Sequence, residues 1–364
     1  MAFPRTLSRY IGRQFLAWFL ALLLVILAII LLLDIVELLR RAVGKPQANF
    51  AIVMQMGLLK LPEIGQQAFP FVVLFSAMFT FWRLTRSQEL VVARAVGVSA
   101  WQFLAPVLVL APLVAVIQVT VINPLGSILV ARYERMEDFY LRGRQSSLAV
   151  GQSGLWLLQG ADEERWLIHA EQVRPGTLEL QGVTMIRIEG DEQVRERVDA
   201  PVALLLPGRW EIPSGWLNRP EMPTQAVTDY RVPTTLTFER IAEGLAAPRT
   251  MGFWALPGFI KTLEATGLSA VRHRLQYQSL LSQPLLFCAM VLFAAAFSLR
   301  QTRRGGTLLM VAGGVATGFV LFVLTDVVLA FGISETIPVV LAAWAPAVAS
   351  LLISIAVLLH LEDG

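Results

Sequence analysis

The sequence predicts an α-helical membrane protein of six transmembrane helices with an all-β, jelly-roll-like domain inserted between helices three and four. Three observations carry this. Charge is scarce: of 364 residues, 55% are hydrophobic and only 16% charged, and the mean hydropathy is +0.62, whereas soluble chains carry roughly 25% charged residues. Six uncharged apolar runs reach the roughly 20 residues that a helix needs to cross a bilayer. Between the third and fourth of them, over residues 132–272, charges, glycines and prolines return and only short apolar runs remain.

The runs, in order, are Phe15–Leu33, Ile64–Trp82 (with Pro70 inside it), Trp101–Ile122, Leu275–Leu299, Gly305–Thr325 and Thr336–Leu359. The first is too long and too rich in leucine for a signal-peptide core and lacks a small-residue cleavage site before Asp34, so it reads as a retained span. Basic residues in short loops set the orientation. With the N-terminus cytoplasmic, Arg5, Arg9, Arg13, Arg83, Arg86, Arg94, Arg300, Arg303 and Arg304 face the cytoplasm, against Arg40, Arg41, Lys45 and Lys60 outside. Nine against four favours N-inside, with both termini cytoplasmic and the insert periplasmic. The division expected is therefore 1–131 for helices one to three, 132–272 for the β-domain and 273–364 for helices four to six.

Within the insert, Gly154–Gln159, Arg165–Ala170, Thr177–Gln181 and Val183–Glu189 read as strands separated by Gly160-Ala161-Asp162, Pro175-Gly176 and Gly190-Asp191. Ala203–Leu206 and Trp210–Ile212 continue the pattern around Pro207-Gly208. Short strands at this spacing suggest a sandwich or jelly roll.

Composition excludes several classes. A formal charge of +3 and a pI of about 9.3 suit loops beside anionic lipid and give no reason to expect nucleic-acid binding. Cys288 is the sole cysteine, and His169, His273 and His360 are far apart, so neither an internal disulfide nor a zinc-ligand spacing is present. No HExxH occurs and no paired carboxylates sit inside a span. Gly151-Gln152-Ser153-Gly154 matches the GxSG of intramembrane serine proteases, but it lies in the insert before a strand and no span supplies a histidine base, so it reads as a turn. There is no GxxxxGK[ST]: Gly44-Lys45-Pro46 lacks both the first glycine and the hydroxyl residue, so any ATP must be bound by another chain.

Four features remain as candidates. Thr85–Ser99 sits between spans two and three. Thr85 and Gln88 have capping-box spacing, Gly97 can end a helix, and Leu84, Val91, Ala95 and Val98 recur at helical period while Arg86, Glu89 and Ala93 share another face. The bland reading is an interfacial helix with a weak Arg86–Glu89 pair. The functional one is a coupling helix seated in a partner's groove. Arg40, Arg41, Lys45 and Lys60 run against the positive-inside trend, either as snorkelling anchors or as a clamp for an anionic amphiphile. Glu63, three residues after Lys60, has the spacing of a helical ion pair. Asp326, some 20 residues into span five, is expected near its periplasmic end.

Together these residues resemble the LptF/LptG permeases, the membrane subunits of the Gram-negative lipopolysaccharide exporter. The resemblance covers the whole chain. It rests on Arg9-Tyr10-Ile11-Gly12-Arg13, the stretch Asp34–Arg41, Leu61-Pro62-Glu63, and most specifically Ser87-Gln88-Glu89-Leu90-Val91 followed by Gly97-Val98-Ser99. In the insert it rests on Trp166, Ala200 and Gly208-Arg209-Trp210. The N-terminal third is more similar to LptG than to LptF.

The resemblance implies a non-catalytic ABC-transporter subunit in the inner membrane, paired with an LptF-like permease. Its first and fifth spans would flank a cavity that admits lipopolysaccharide laterally from the outer leaflet. An LptB-like ATPase dimer, the user of ATP and Mg, would grip one coupling helix from each permease, here through Glu89 with Arg86 and Arg94 nearby. The lipid would pass to the jelly-roll domain and on to a bridge of LptC-like and LptA-like jelly rolls, the former carrying a single span. On this reading Arg40, Arg41, Lys45 and Lys60 meet acidic headgroups, and Phe69, Phe71, Phe75, Phe319 and Phe322 help line the cavity, although helix packing or lipid contact is the plainer reading of each aromatic. The chain departs from family members that place a basic residue where it has Asp34, which would repel a phosphate. Two other classes compete: a membrane-embedded enzyme, which lacks a catalytic set here, and a mechanotransmitting ABC subunit, whose periplasmic domain would follow the first of four spans.

Overall fold

Six helices among the described residues are long and apolar enough to cross a membrane, and an antiparallel sheet stands between the third and the fourth. The computed structural model describes residues 5–45, 48–89, 92, 95, 99–142, 147–151, 154–161, 164–174, 179–189, 193–220, 222–234, 247–265, 269–298 and 307–362. These fall into two compact units. One comprises Met1–Val130, Gly252–Trp254 and Arg274–Gly364, and the other Ala131–Met251 and Ala255–His273.

In the helical unit the elements outrun the uncharged runs of the sequence, because helices continue through their charged interfacial turns. They are α1 (Arg5–Ala42), α2 (Phe50–Arg86), α3 (Ala100–Ile117), α6 (Val271–Ser298), α7 (Thr307–Ile333) and α8 (Val339–Glu362). The third span runs on past Ile122: α3 passes through a π-turn at Gln118–Ile122 into α4 (Asn123–Glu137).

Lipid offers helices no hydrophobic reason to associate, so close contact depends on small residues and on polar groups that must be satisfied inside the protein. α2 collects both. A Cβ on its Gly65 would lie 2.6 Å from Leu27 of α1. Phe71 of α2 lies against Gly318 of α7, where a Cβ would meet the ring at 3.0 Å. Pro70 has no N–H, which strips the Gln66 carbonyl of its helical donor. Gln118 of the π-turn supplies one from Nε2 at 3.4 Å, and Asn123 Nδ2 donates to the Gln66 side-chain oxygen at 3.2 Å. The π-turn exposes carbonyls of its own, and the indole of Trp254 donates to that of Thr120 at 3.1 Å. The buried core joins Ile11 and Phe15 of α1, Val72–Leu74, Met78 and Phe81 of α2, Leu104 and Val107 of α3, and Phe287 and Val291 of α6.

The second unit is a seven-stranded antiparallel meander in sequence order. Its strands are β1 (Ser147–Gly151), β2 (Gly154–Ala161), β3 (Glu164–Arg174), β4 (Glu179–Glu189), β5 (Gln193–Leu206), β6 (Arg209–Asn218) and β7 (Gln225–Pro233). The jelly-roll-like domain is thus built from hairpins alone. Three differences from the sequence reading share one cause. The two strands expected around Gly182 are a single β4, and β5 and β6 extend well beyond Ala203–Leu206 and Trp210–Ile212. Buried positions on β4 run Leu180, then Val183 and Met185. Those on β5 run Val198 and Ala200, then Ala203, and those on β6 Trp210 and Ile212, then Gly215 and Leu217. On each strand the two-residue alternation slips by one at the same level. Gly182 (φ +62°), Pro201 and Pro213 occupy the slip, and on β7 Asp229 (φ +54°) falls at the same level, between the Tyr230 and Thr228 rungs. Residues that normally end strands here crease a continuous sheet.

The crease and the twist roll the sheet so that one face becomes a closed core around the fully buried Trp210. Gln159 of β2 reaches across the roll. Its Oε1 accepts from Trp210 Nε1 at 3.3 Å and from the Thr234 hydroxyl at 2.5 Å, and its Nε2 donates to the Pro233 carbonyl at 3.1 Å. Elsewhere Glu196, 4% exposed, accepts from Arg187, Arg219 and Tyr230. The same unit contains a helix that the strand reading of residues 132–272 does not anticipate, α5 (Leu256–Ala265), with Leu256 and Leu263 buried on one face.

Gln159→Leu is expected to destabilise the β-unit by about 1–3 kcal/mol, because it strands the Trp210 and Thr234 donors. Tryptophan-detected melting of the full chain in detergent will read this. Burial, reinforced by Glu196, pushes Tyr230 up to about 12. A pKa raised above its ordinary value of about 10 means that the stability this phenol contributes is intact below about pH 10 and lost as pH climbs towards 12. Phenolate absorbance should show that late ionisation in wild type and lose it in Tyr230→Phe.

Candidate functional site

α1 closes with Asp34, Glu37, Arg40 and Arg41, whose helical spacing brings them to neighbouring positions. Glu37 bridges both arginines, accepting from Arg40 Nε at 3.0 Å and from Arg41 Nε at 2.8 Å. The arginine side chains remain 78% and 50% exposed. One carboxylate cannot neutralise two guanidiniums, and Lys45, exposed beyond the Gly44 turn, adds a third cation. Such exposed pairs contribute little to stability, so the arginines can exchange partners. Both also sit at the negative end of the helix dipole.

Lys60 behaves differently. From α2 its Nζ donates to Asp34 Oδ1 of α1 at 2.7 Å, with the side chains only 24% and 12% exposed. The structure therefore gathers Arg40, Arg41 and Lys45 at one end of α1 and turns Lys60 inward. It also answers the objection raised by Asp34, whose charge is matched by Lys60.

The aromatic candidates separate. Phe69 is 4% exposed and stacks edge-on against Phe19 with centroids 5.7 Å apart, so it packs α1 against α2 and lines no open space. Phe71 and Phe75 are half-buried on α2, and Phe71 meets Phe322 of α7 at 6.0 Å. Phe319 and Phe322 are exposed among Val315, Val320, Val323 and Phe331. α1 likewise exposes Leu20, Leu24, Ile29, Leu32 and Val36 along its middle and later turns, whereas Ile11, Phe15 and Phe19 nearer its start are buried. Asp326 is also exposed on α7. Because α7 continues to Ile333, this carboxylate lies about two turns before the helix end.

At the opposite end of α2, the capping box expected at Thr85 and Gln88 does not form. Thr85 belongs to the last turn of α2, where its hydroxyl lies 2.8 Å from the Phe81 carbonyl and 3.3 Å from that of Ser298. The chain turns at Gln88, which takes a left-handed φ of +59°. Helical backbone resumes at Glu89, and the Gln88 carbonyl accepts from Val92 N–H at 3.1 Å. Glu89 Oε1 accepts from Ser87 Oγ at 2.9 Å and from Tyr10 of α1 at 3.5 Å. Arg86 lies over the Trp82 ring at 5.4 Å. Arg94 falls outside the described residues, as do Val91, Gly97 and Val98. The α3 cap is Ser99, in a capping box with Gln102.

The sequence reading singled out neither Glu37 nor the Tyr10–Glu89 contact. The i, i+3 and i+4 spacing of Glu37 with Arg40 and Arg41 was a usable signal, whereas Tyr10 is 79 residues from its partner and left none. Gly151 and Gly154 pair between β1 and β2, and Gln152 and Ser153 of the GxSG segment lie outside the described residues. Among the described residues no group of three or more His, Cys, Asp or Glu is placed to hold a metal ion.

The family model for the lipopolysaccharide export system permease LptF/LptG matches residues 9–360. Among curated proteins, the lipopolysaccharide export system permease protein LptG of Escherichia coli K12 is 25% identical over 363 residues, covering 97% of this chain and 98% of that protein. LptG of Escherichia coli O6:H1 matches with the same identity and coverage.

Lys60→Met should destabilise the helical unit by about 2–4 kcal/mol, because it leaves the Asp34 carboxylate uncompensated in a largely buried position. Adding Asp34→Asn should restore most of that loss. A double-mutant cycle of detergent melting temperatures measures both.

Proposed function

The chain belongs to the LptF/LptG family of lipopolysaccharide export system permeases, and from that premise we propose that it is the LptG-type permease of an inner-membrane exporter driven by a partner ATPase. It works beside a second, LptF-like permease. Its β-unit is periplasmic, its termini are cytoplasmic, and it binds neither ATP nor Mg itself.

One observation carries the substrate assignment. The outer faces of α1 and α7 are apolar and uncovered, and α1 ends in three exposed cations. A molecule with several acyl chains and acidic headgroups needs that combination of wall and clamp. Lipopolysaccharide enters along α1 and α7 and is held by Arg40, Arg41 and Lys45, while the Lys60–Asp34 pair fixes α1 to α2 beneath them. Phe71, Phe75, Phe319 and Phe322 contribute to the wall.

α2 supplies the mechanical link. Its 37 residues span about 55 Å, and both α1 and α7 pack on it. An ATPase that grips the segment beginning at Glu89, with Arg86 and Arg94 beside it, pushes on one end of a rod whose sides carry both walls of the cavity. The lipid then moves to the β-unit and on to the LptC-like and LptA-like jelly rolls, the single-span LptC-like subunit joining the permease pair.

Affinity purification from native membranes in gentle detergent tests this. Wild type should bring down a homologous permease, an ATPase and lipopolysaccharide, and Glu89→Lys should lose the ATPase alone. Substituting Arg40, Arg41 and Lys45 together with serine should lower the lipopolysaccharide recovered about tenfold or more while the protein partners remain. Recovery of the wild-type chain without an ATPase or glycolipid would overturn the reading.

A further inference from the structure

The first turns of α1 and the middle of α3 line an open groove of about 660 Å³ whose chemistry the exporter reading leaves unused. Leu16, Ala105, Pro106 and Val109 form its apolar wall, and Arg9 and Arg13 complete the lining. The helices touch beside it at Gly12, where a Cβ would stand 3.0 Å from Leu110 Cδ1. The volume lies within the roughly 300–1,000 Å³ typical of ligand pockets.

Arg9 and Arg13 are one turn apart on the same face, about 6 Å along the axis. Both are exposed, and among the described residues neither guanidinium has a hydrogen-bond or ion-pair partner. This contrasts with Arg40 and Arg41, which share Glu37. Two uncompensated guanidiniums over an apolar wall call for a ligand with an anionic head and a hydrocarbon tail. A soluble anion would leave the wall empty, and an apolar helix would leave the charges unmatched. Trp101, 38% exposed and one turn before Ala105, is the kind of residue that settles at the headgroup level. That places the arginines near phosphate depth and Leu16, nearly a turn further along α1, towards the acyl chains.

We propose that this cleft holds one anionic glycerophospholipid from the leaflet around the N-terminal end of α1, with its phosphate between Arg9 and Arg13 and an acyl chain along Leu16, Pro106 and Val109. Tyr10, between the two arginines in sequence, is the residue whose hydroxyl reaches Glu89 at 3.5 Å. The lipid would therefore sit beside the α1 turn that meets the Glu89 segment.

Native mass spectrometry of the full chain, purified with whatever subunits accompany it and titrated with phosphatidylglycerol or phosphatidylethanolamine, tests the site. Wild type should retain one phosphatidylglycerol in preference to phosphatidylethanolamine. Each arginine-to-glutamine change should weaken retention about fivefold, and Arg9→Gln with Arg13→Gln about 25-fold. Ala105→Phe, which fills the cleft and leaves the charges in place, should abolish retention, whereas Arg83→Gln, an exposed arginine outside the cleft, should leave it unchanged. Equal retention of the two lipids, full retention in the double variant, or an equal loss in Arg83→Gln would each overturn the proposal. So would crosslinking from Val109 to a co-purified protein chain instead of lipid.

Discussion

The packing of α2 is the constraint on which the helical unit depends. In hydrocarbon, two apolar helices gain nothing by leaving lipid for each other unless their surfaces fit closely or share hydrogen bonds. α2 meets that demand on several sides at once. Gly65 admits Leu27 of α1, while Gly314 and Gly318 of α7 admit Met78 and Phe71 of α2. Gln66, its carbonyl freed by Pro70, takes the polar groups of the third span. A helix occupied on several sides thus becomes a reference against which the exposed helices, α1 and α7, are positioned.

The two ends of α2 use charge differently. Towards its start, Lys60 and Asp34 form a shielded pair between helices, which fixes position and has little charge left for a ligand. Just beyond it, Arg40, Arg41 and Lys45 are exposed, and Glu37 only partly balances them. Towards its end, Arg86 rests on Trp82 and Glu89 takes hydroxyl donors, so the charges there are held by neutral groups. Fixed charge and available charge occupy different positions even where the residue types are the same.

What could be read from the sequence follows the same division. The spans were legible because an uncharged run of about 20 residues has few fates other than a bilayer. The strands of the insert were legible because segments rich in Gly and Pro separate its short apolar runs, whereas the helix Leu256–Ala265 was not. The same letters misled where Gly182, Pro201 and Pro213 crease continuous strands, since a turn and a crease draw on the same backbone properties. Thr85 misled because a threonine hydroxyl serves an i−4 carbonyl inside a helix as readily as it caps one. The basic cluster was visible as an exception to a charge trend. The inward turn of Lys60 was not, because Asp34 is 26 residues away on another helix and only their packing joins them.

The β-unit has a topological consequence of its own. Its strands pair only with their sequence neighbours, and the described ladder never joins β7 back to β1. Across the roll, β2 meets the far strands through the shared apolar core and through Gln159, which makes three hydrogen bonds. The roll is therefore a sleeve fastened by a clasp, not a sealed tube. Because no described rung joins the first strand to the last, the closure of the roll rests on side chains alone, and loosening it would break no bond of the ladder between neighbouring strands.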